Sequence, residues 1–337
     1  MNGHAKSNPG VVIACACMLL CVVCFFSLCL GVRSISPRAI VTALADPQSD
    51  SIEALILWSS RLPRLAIAAL VGAALGLSGA ILQTLTRNIL ADPGLLGINS
   101  GAALAVVICV VLLGEPPPVS VLGTTAILGA CLTGMLVYTL AGGADGIGRH
   151  PLRLLLAGTV IMLTLGSLMH VVLLLVPNTL EVTQLWLAGS VADRPKDMLP
   201  VFLPGLALAI GAGLLLAPAL SILVLGTKQA QSLGVDVVRL RAIAVLVAAV
   251  LCGLAVSLAG PVAFVGLAAP HAARGALGPR PTTLFPLAAI FGAVSVVVAD
   301  ALARLIVAPA EWPIGVLLAI MGIPVYLSLL QRRKGFL

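Results

Sequence analysis

Side chains that could do chemistry are few and thinly spread along this chain. Gly76-Leu77-Ser78-Gly79 has the Gly-x-Ser-Gly pattern of intramembrane serine proteases. A serine becomes a nucleophile only with a base in hydrogen-bond reach, and His170 and His271 are the histidines that other apolar segments offer. Four-residue matches are common in a chain with 34 glycines, and the same pattern makes a close-packing face for a neighbouring helix. Five of the eight cysteines (Cys15, Cys17, Cys21, Cys24 and Cys29) fall in one apolar run, with C-x-C and C-x-x-C spacings. Such spacing can hold soft metals, yet on a lipid-facing helix a thiol acts as a small hydrophobe, and no metal site is expected. Val12-Ile13-Ala14-Cys15 resembles a lipoprotein cleavage box, but its apolar stretch follows the cysteine where a signal peptide would precede it. That run is expected to remain as a helix.

Asp300 and Arg304 are four residues apart, a spacing that brings them together on a helix. Pairing lowers the cost of holding both charges near lipid. Pro270, His271 and Arg274 lie at one end of a short apolar stretch, where a structural role for His271 is favoured over a proton relay. No G-x-x-x-x-G-K-[ST] motif occurs, so the chain has no phosphate-cradling loop and is not expected to be an enzyme. Charged residues deep in the apolar runs are nearly absent, which argues against an ion-coupled secondary transporter. The energy source is expected on another subunit.

The elements that position these residues follow from composition. Of 337 residues, 60% are hydrophobic and 9% charged, whereas a soluble domain carries about 25% charged residues. The lipid bilayer is therefore the surrounding phase. A barrel would show alternating segments of about ten residues; here the apolar runs are unbroken and roughly twenty long, enough to span as helices. The expected fold is all-α, one polytopic domain over residues 1–337 with about ten transmembrane helices. They lie at roughly 11–31, 63–85, 94–113, 119–141, 153–176, 199–218, 238–259, 261–274, 284–305 and 313–331, read by length and hydropathy.

The formal charge of +7 is dotted between apolar runs with no basic block, so no nucleic-acid partner is expected. With both termini cytoplasmic, the nineteen Lys and Arg divide twelve inside to seven outside, the bias of a bacterial inner-membrane protein. The outside arginines need a reason to be there. Arg304 joins Arg61 and Arg64 in a positive set that an acidic partner could read. Residues 32–62 read as an external loop. Residues 219–237 are amphipathic and broken by Gly226 and Gly234, which predicts two short helices joined by a glycine turn. A connection could be far shorter, so a partner contact is the better reading. Gly72-x-x-x-Gly76 and Gly76-x-x-Gly79 mark a face for close helix packing.

Eight stretches in order resemble the FecCD family, the permeases of type II ABC importers for ferric siderophores, haem and cobalamin. They are RLPR at 61–64, GAALGLSGAILQ at 72–83, DPGLLGINSGA at 92–102, RLLLAG at 153–158, LGTKQAQSLGV at 225–235, VAFVGLAAPHAAR at 262–274, ADALAR at 299–304 and WPIGVLLAIMGIPVY at 312–326. The similarity runs from about residue 55 to the C-terminus. It implies a type II importer permease fold working with a second permease subunit, identical or paralogous. Two cytoplasmic ABC ATPase subunits would use ATP and Mg, and a periplasmic binding protein would deliver the ligand; no cofactor is bound by this chain. The resemblance places cytoplasmic coupling helices at 220–235, with Gly226, Lys228, Gln229, Ala230, Ser232, Leu233 and Gly234 as ATPase contacts. It pairs Arg61, Arg64 and Arg304 with glutamates of the binding protein. It puts the path along the fifth span and a cytoplasmic gate just before it at His150, Pro151 and Leu152, where the cobalamin permease has small hydroxyl residues. A ferric siderophore is the expected cargo, then haem, then cobalamin.

Overall fold

The structure is a computed structural model that describes residues 8–31, 34–46, 51–113, 117–143, 146, 152–176, 186–192, 198–306 and 311–334, with side chains from 325 onward left aside. The described residues are helical or irregular, with no strand among them.

Short polar residues start several helices. Asn8 accepts from the Gly10 N–H ahead of α1 (Pro9–Cys29), and Pro9 holds the first helical position, where its missing N–H costs nothing. Ser36 caps α2 (Pro37–Ala45) and Ser51 caps α3 (Ile52–Ile56) in the same way. A π-helical turn, Leu57–Arg61, joins α3 to α4 (Leu62–Thr86) without a break. That turn lies just before Pro63, which cannot donate to a carbonyl four residues back. The helix therefore begins eleven residues before the predicted span, and residues 52–62 of the expected loop are helical. Trp58 donates its indole N–H to the Ala43 carbonyl (3.0 Å) and so fastens this lead-in to α2.

The remaining elements are α5 (Ile98–Leu113), α6 (Val119–Leu140), α7 (Leu152–Leu175), α8 (Met198–Leu215), α9 (Ala217–Val224), α10 (Thr227–Ser232), α11 (Val237–Ala259), α12 (Val265–Leu277), α13 (Pro281–Ile306) and α14 (Ile314–Lys334). A helix occupies each of the ten predicted segments. Among the described residues, seven helical stretches are long and apolar enough to cross a membrane, α3–α4 and α8–α9 each counting as one.

α4, α11 and α13 form the enclosed centre, while α1 and α7 contribute few buried residues and lie at the outside. The glycine face predicted on α4 is a close backbone-to-backbone contact. A Cβ on Gly72 would fall 2.2 Å from the Gly292 carbonyl oxygen, and one on Gly76 2.3 Å from that of Ala288, both on α13. Gly79 meets the backbone of Gly266 on α12 in the same manner. Ser78 points the other way, donating to the Ala248 carbonyl of α11 (2.8 Å), and His170 bonds instead to its own helix at Gly166 (2.7 Å). The protease pattern is thus a packing face.

Two helices are short because their entry segments are folded into the protein. α12 has 13 residues, about 20 Å at 1.5 Å each, and α5 has 16. Ala91, Asp92 and Leu96, in the turn before α5, are buried; Asp92 accepts from the Gly94 N–H (2.8 Å). Asn99 at the start of α5 donates to the Val262 carbonyl just ahead of α12 (3.0 Å) and accepts from the Cys252 thiol (2.7 Å). Gln83 donates to the Gly266 carbonyl (3.1 Å) and accepts from Arg274. Irregular backbone is tolerated at membrane depth only where protein surrounds it and its polar groups are paired.

Candidate functional site

The candidate residues lie at the two ends of the bundle, because α4 runs from Arg61 at its cap to Arg87 at the other, about 37 Å of helix at 1.5 Å per residue.

The far end is an elbow. α9 stops at Gly226, whose φ of 129° lies in the range that L side chains rarely adopt. α10 follows for six residues, and Gly234 (φ 82°) then turns the chain into α11. Asp236 caps α11 by accepting from the Arg239 N–H (3.1 Å). Inside the elbow Ala230 is fully buried and takes the Val235 N–H on its carbonyl (3.0 Å). Lys228, Gln229, Ser232, Leu233 and Gly234 are exposed, while Gly226 is half-buried. Leu225 and Leu233 are each 64% exposed. The predicted pair of short helices and glycine joint is therefore present, and it presents polar and apolar side chains together.

At the opposite end the three candidate arginines come together, but they turn inward. Arg61 and Arg304 are only 7% and 6% exposed. Arg61 donates to the Leu28 carbonyl; Arg304 donates to the Leu30 carbonyl (2.9 Å) and the Ser27 hydroxyl (2.7 Å). Both thus hold the last turn of α1, where carbonyls lack intrahelical partners. Asp300, 1% exposed, accepts from Arg64 (2.8 Å) and from Arg304 (3.1 Å), the second pair being the one its spacing predicts. Arg64 also reaches Glu311 (2.8 Å). The positive charges have a counterpart within the chain, and sequence reasoning missed Glu311 because it stands 247 residues from Arg64.

Of the gate residues, His150 and Pro151 lie outside the described residues; Leu152 opens α7 and is 63% exposed. α7 leaves a long stripe uncovered, in which Thr164, Ser167 and His170 are set among leucines and valines. Two arginines read in the sequence only as topology charges also gain a place: Arg87 and Arg241 bond to the elbow.

The model of the FecCD transport family matches residues 19–332. The chain belongs to the FecCD transport family. The match begins at residue 19, well before the first resembling stretch, so it takes in the second half of α1. Family relatives include the iron(3+)-hydroxamate import system permease protein of Bacillus subtilis, 36% identical over 97% of this chain and 98% of its own length. The ferric enterobactin transport system permease protein of Escherichia coli is 36% identical over 99% and 98%. The hemin transport system permease protein of Yersinia pestis is 36% identical over the same shares. Among solved structures, an inward-facing conformation described as that of a metal-chelate type ABC transporter superposes with a TM-score of 0.83 at 28% identity, covering 96% of this chain and 99% of the other.

Proposed function

We propose that this chain is the membrane-spanning subunit of an ABC importer that carries a metal chelate, first of all a ferric siderophore, across the bacterial inner membrane. The observation that carries this reading is the exposed, two-glycine elbow at one end of an enclosed bundle in a FecCD family member. Relatives are named for ferric hydroxamate, ferric enterobactin and hemin import, which supports an iron chelate and ranks haem as the alternative cargo. Two cytoplasmic ATPases would seat against residues 220–235 and supply the work; this chain forms no covalent bond. Both termini would then be cytoplasmic. A second permease copy, identical or paralogous, would cover α7, whose exposed stripe carries hydroxyls and an imidazole that lipid does not favour.

A periplasmic binding protein would dock at the Arg61, Arg64 and Arg304 end. Its carboxylates would compete with Asp300, Glu311 and the carbonyls of α1 for the same guanidinium groups, so docking and the grip on α1 are linked. The test is uptake into vesicles holding the permease with its ATPase, supplied with loaded binding protein. Ferric-siderophore uptake that requires ATP supports the reading. Uptake that persists without the ATPase, or a native complex with no nucleotide-hydrolysing partner, rejects it. Arg61→Glu with Arg304→Glu is expected to weaken binding-protein affinity while ATPase binding stays; unchanged affinity removes the docking assignment.

A further inference from the structure

The elbow does not hang freely from its glycine joint. Gly226 separates α9 from α10, and each side of it is gripped by an arginine from a different central helix. On the α9 side, the Arg87 guanidinium donates to the carbonyls of Leu223 (3.0 Å) and Val224 (3.5 Å). These are among the last carbonyls of α9, at its negative end; that of Leu223 also accepts from the Gly226 N–H (3.1 Å). On the α10 side, Arg241 donates to the Thr227 hydroxyl (2.9 Å), and Thr227 is the first residue of α10.

The two arginines belong to two of the central helices, Arg87 exposed at the end of α4 and Arg241 buried in α11. Arg87 terminates α4 in the left-handed conformation, with φ 50° and ψ 29°. A non-glycine residue held there costs on the order of 1 kcal/mol, and the conformation aims the side chain back across the end of α9. Arg241 is 5% exposed, one turn into α11. A glycine at φ 129° is otherwise a compliant joint: force applied to α10 would bend the chain at Gly226 and be lost there. With Leu223 and Val224 tied to α4 and Thr227 tied to α11, a displacement of α10 moves both helices.

From this geometry we infer that Arg87 and Arg241 are positioning residues for transport, locking the Gly226 joint so that force on α10 reaches α4 and α11. The inference rests on the permease reading above and adds to it the route by which force leaves the elbow.

The experiment uses the reconstituted complex of permease, ATPase and binding protein, and measures chelate uptake and ATP hydrolysis in the same vesicles. Thr227→Val removes the acceptor from the elbow side, leaves Arg241 in place and keeps a β-branched side chain of similar size. Arg87→Gln shortens the other tie at an exposed residue. In the double variant, uptake per ATP is expected to fall by about tenfold or more, the scale of losses when a distant change loosens a working geometry. Complex yield and hydrolysis rate are expected to stay near those of the parent. Arg241→Lys, whose ammonium can still donate to Thr227, is expected to keep more of the coupling than Arg241→Met. Unchanged uptake per ATP in the double variant overturns the inference. So does a parallel loss of assembly, hydrolysis and uptake, which marks a purely structural role. A parent complex with no ATP-driven uptake at all refutes the permease reading itself, an outcome the ratio in the variants cannot imitate.

Discussion

The contact between α4 and α13 offers a sharp test of how the bundle is held. Gly72→Ala would place a Cβ 2.2 Å from the Gly292 carbonyl oxygen, 2.6 Å from its carbon and 2.8 Å from the Ala293 Cα. That is about 1.2 Å short of ordinary van der Waals contact, and every atom met is backbone, so no side chain can turn aside and the helices must part. Overpacking of this kind costs roughly 1–3 kcal/mol. Alanine returns about 1 kcal/mol of helix propensity, leaving a net loss of up to roughly 2 kcal/mol. The same chemistry without the clash is available in this chain: a Cβ on Gly211 in α8 or Gly166 in α7 meets nothing within 4 Å. Gly211→Ala and Gly166→Ala are therefore expected to be neutral or stabilising by up to about 1 kcal/mol. Reversible unfolding in mixed micelles, followed by helical circular dichroism as the denaturing detergent fraction rises, reads all variants on one scale. Gly76→Ala and Gly79→Ala should group with Gly72→Ala. If the buried and open positions shift together, backbone contact is not what sets the α4–α13 distance.

Two further substitutions test the ends of the bundle. Asp300→Asn leaves Arg304 and half of the Arg64 pairing without a carboxylate at a site only 1% exposed; removing one partner of a buried ion pair costs about 3–5 kcal/mol, so a large drop in thermal midpoint is expected, and a drop equivalent to under about 1 kcal/mol would mean the cluster is solvated like a surface pair. Gly234→Val meets no clash but forces a β-branched residue to φ 82°, at a cost of roughly 1–2 kcal/mol; the elbow is expected to re-aim, with hydrolysis retained and uptake lost, and normal uptake would show that its shape is not critical.

Much of the fold was readable because lipid imposes one-dimensional rules: length and hydropathy place the helices, and small residues mark close approach. The glycines at 72, 76 and 79, the elbow at 226–234 and the Asp300–Arg304 pair followed from spacing alone. What escaped was direction in depth. Residues 88–93 read as a tight polar turn, yet Asp92 is buried because Gly94 and Gly266 leave room for its carboxylate. The arginines were correctly grouped at one end, but spacing cannot say that Arg61 reaches back 33 residues to α1 while Arg304 reaches back 274. Arg87 and Arg241 stand in the sequence as charges and not as ties, since their partners are a helix terminus 136 residues on and a hydroxyl 14 residues back across the glycine turn.

The grip on α1 has a bearing on biogenesis. Its last turn is fastened by Arg61 and by Arg304, so the first helix enters the bilayer long before the second of these groups has left the ribosome. Both ties are in place only when synthesis is nearly over, and a nascent protein cut short before Arg304 would hold that helix by Arg61 without its second arginine.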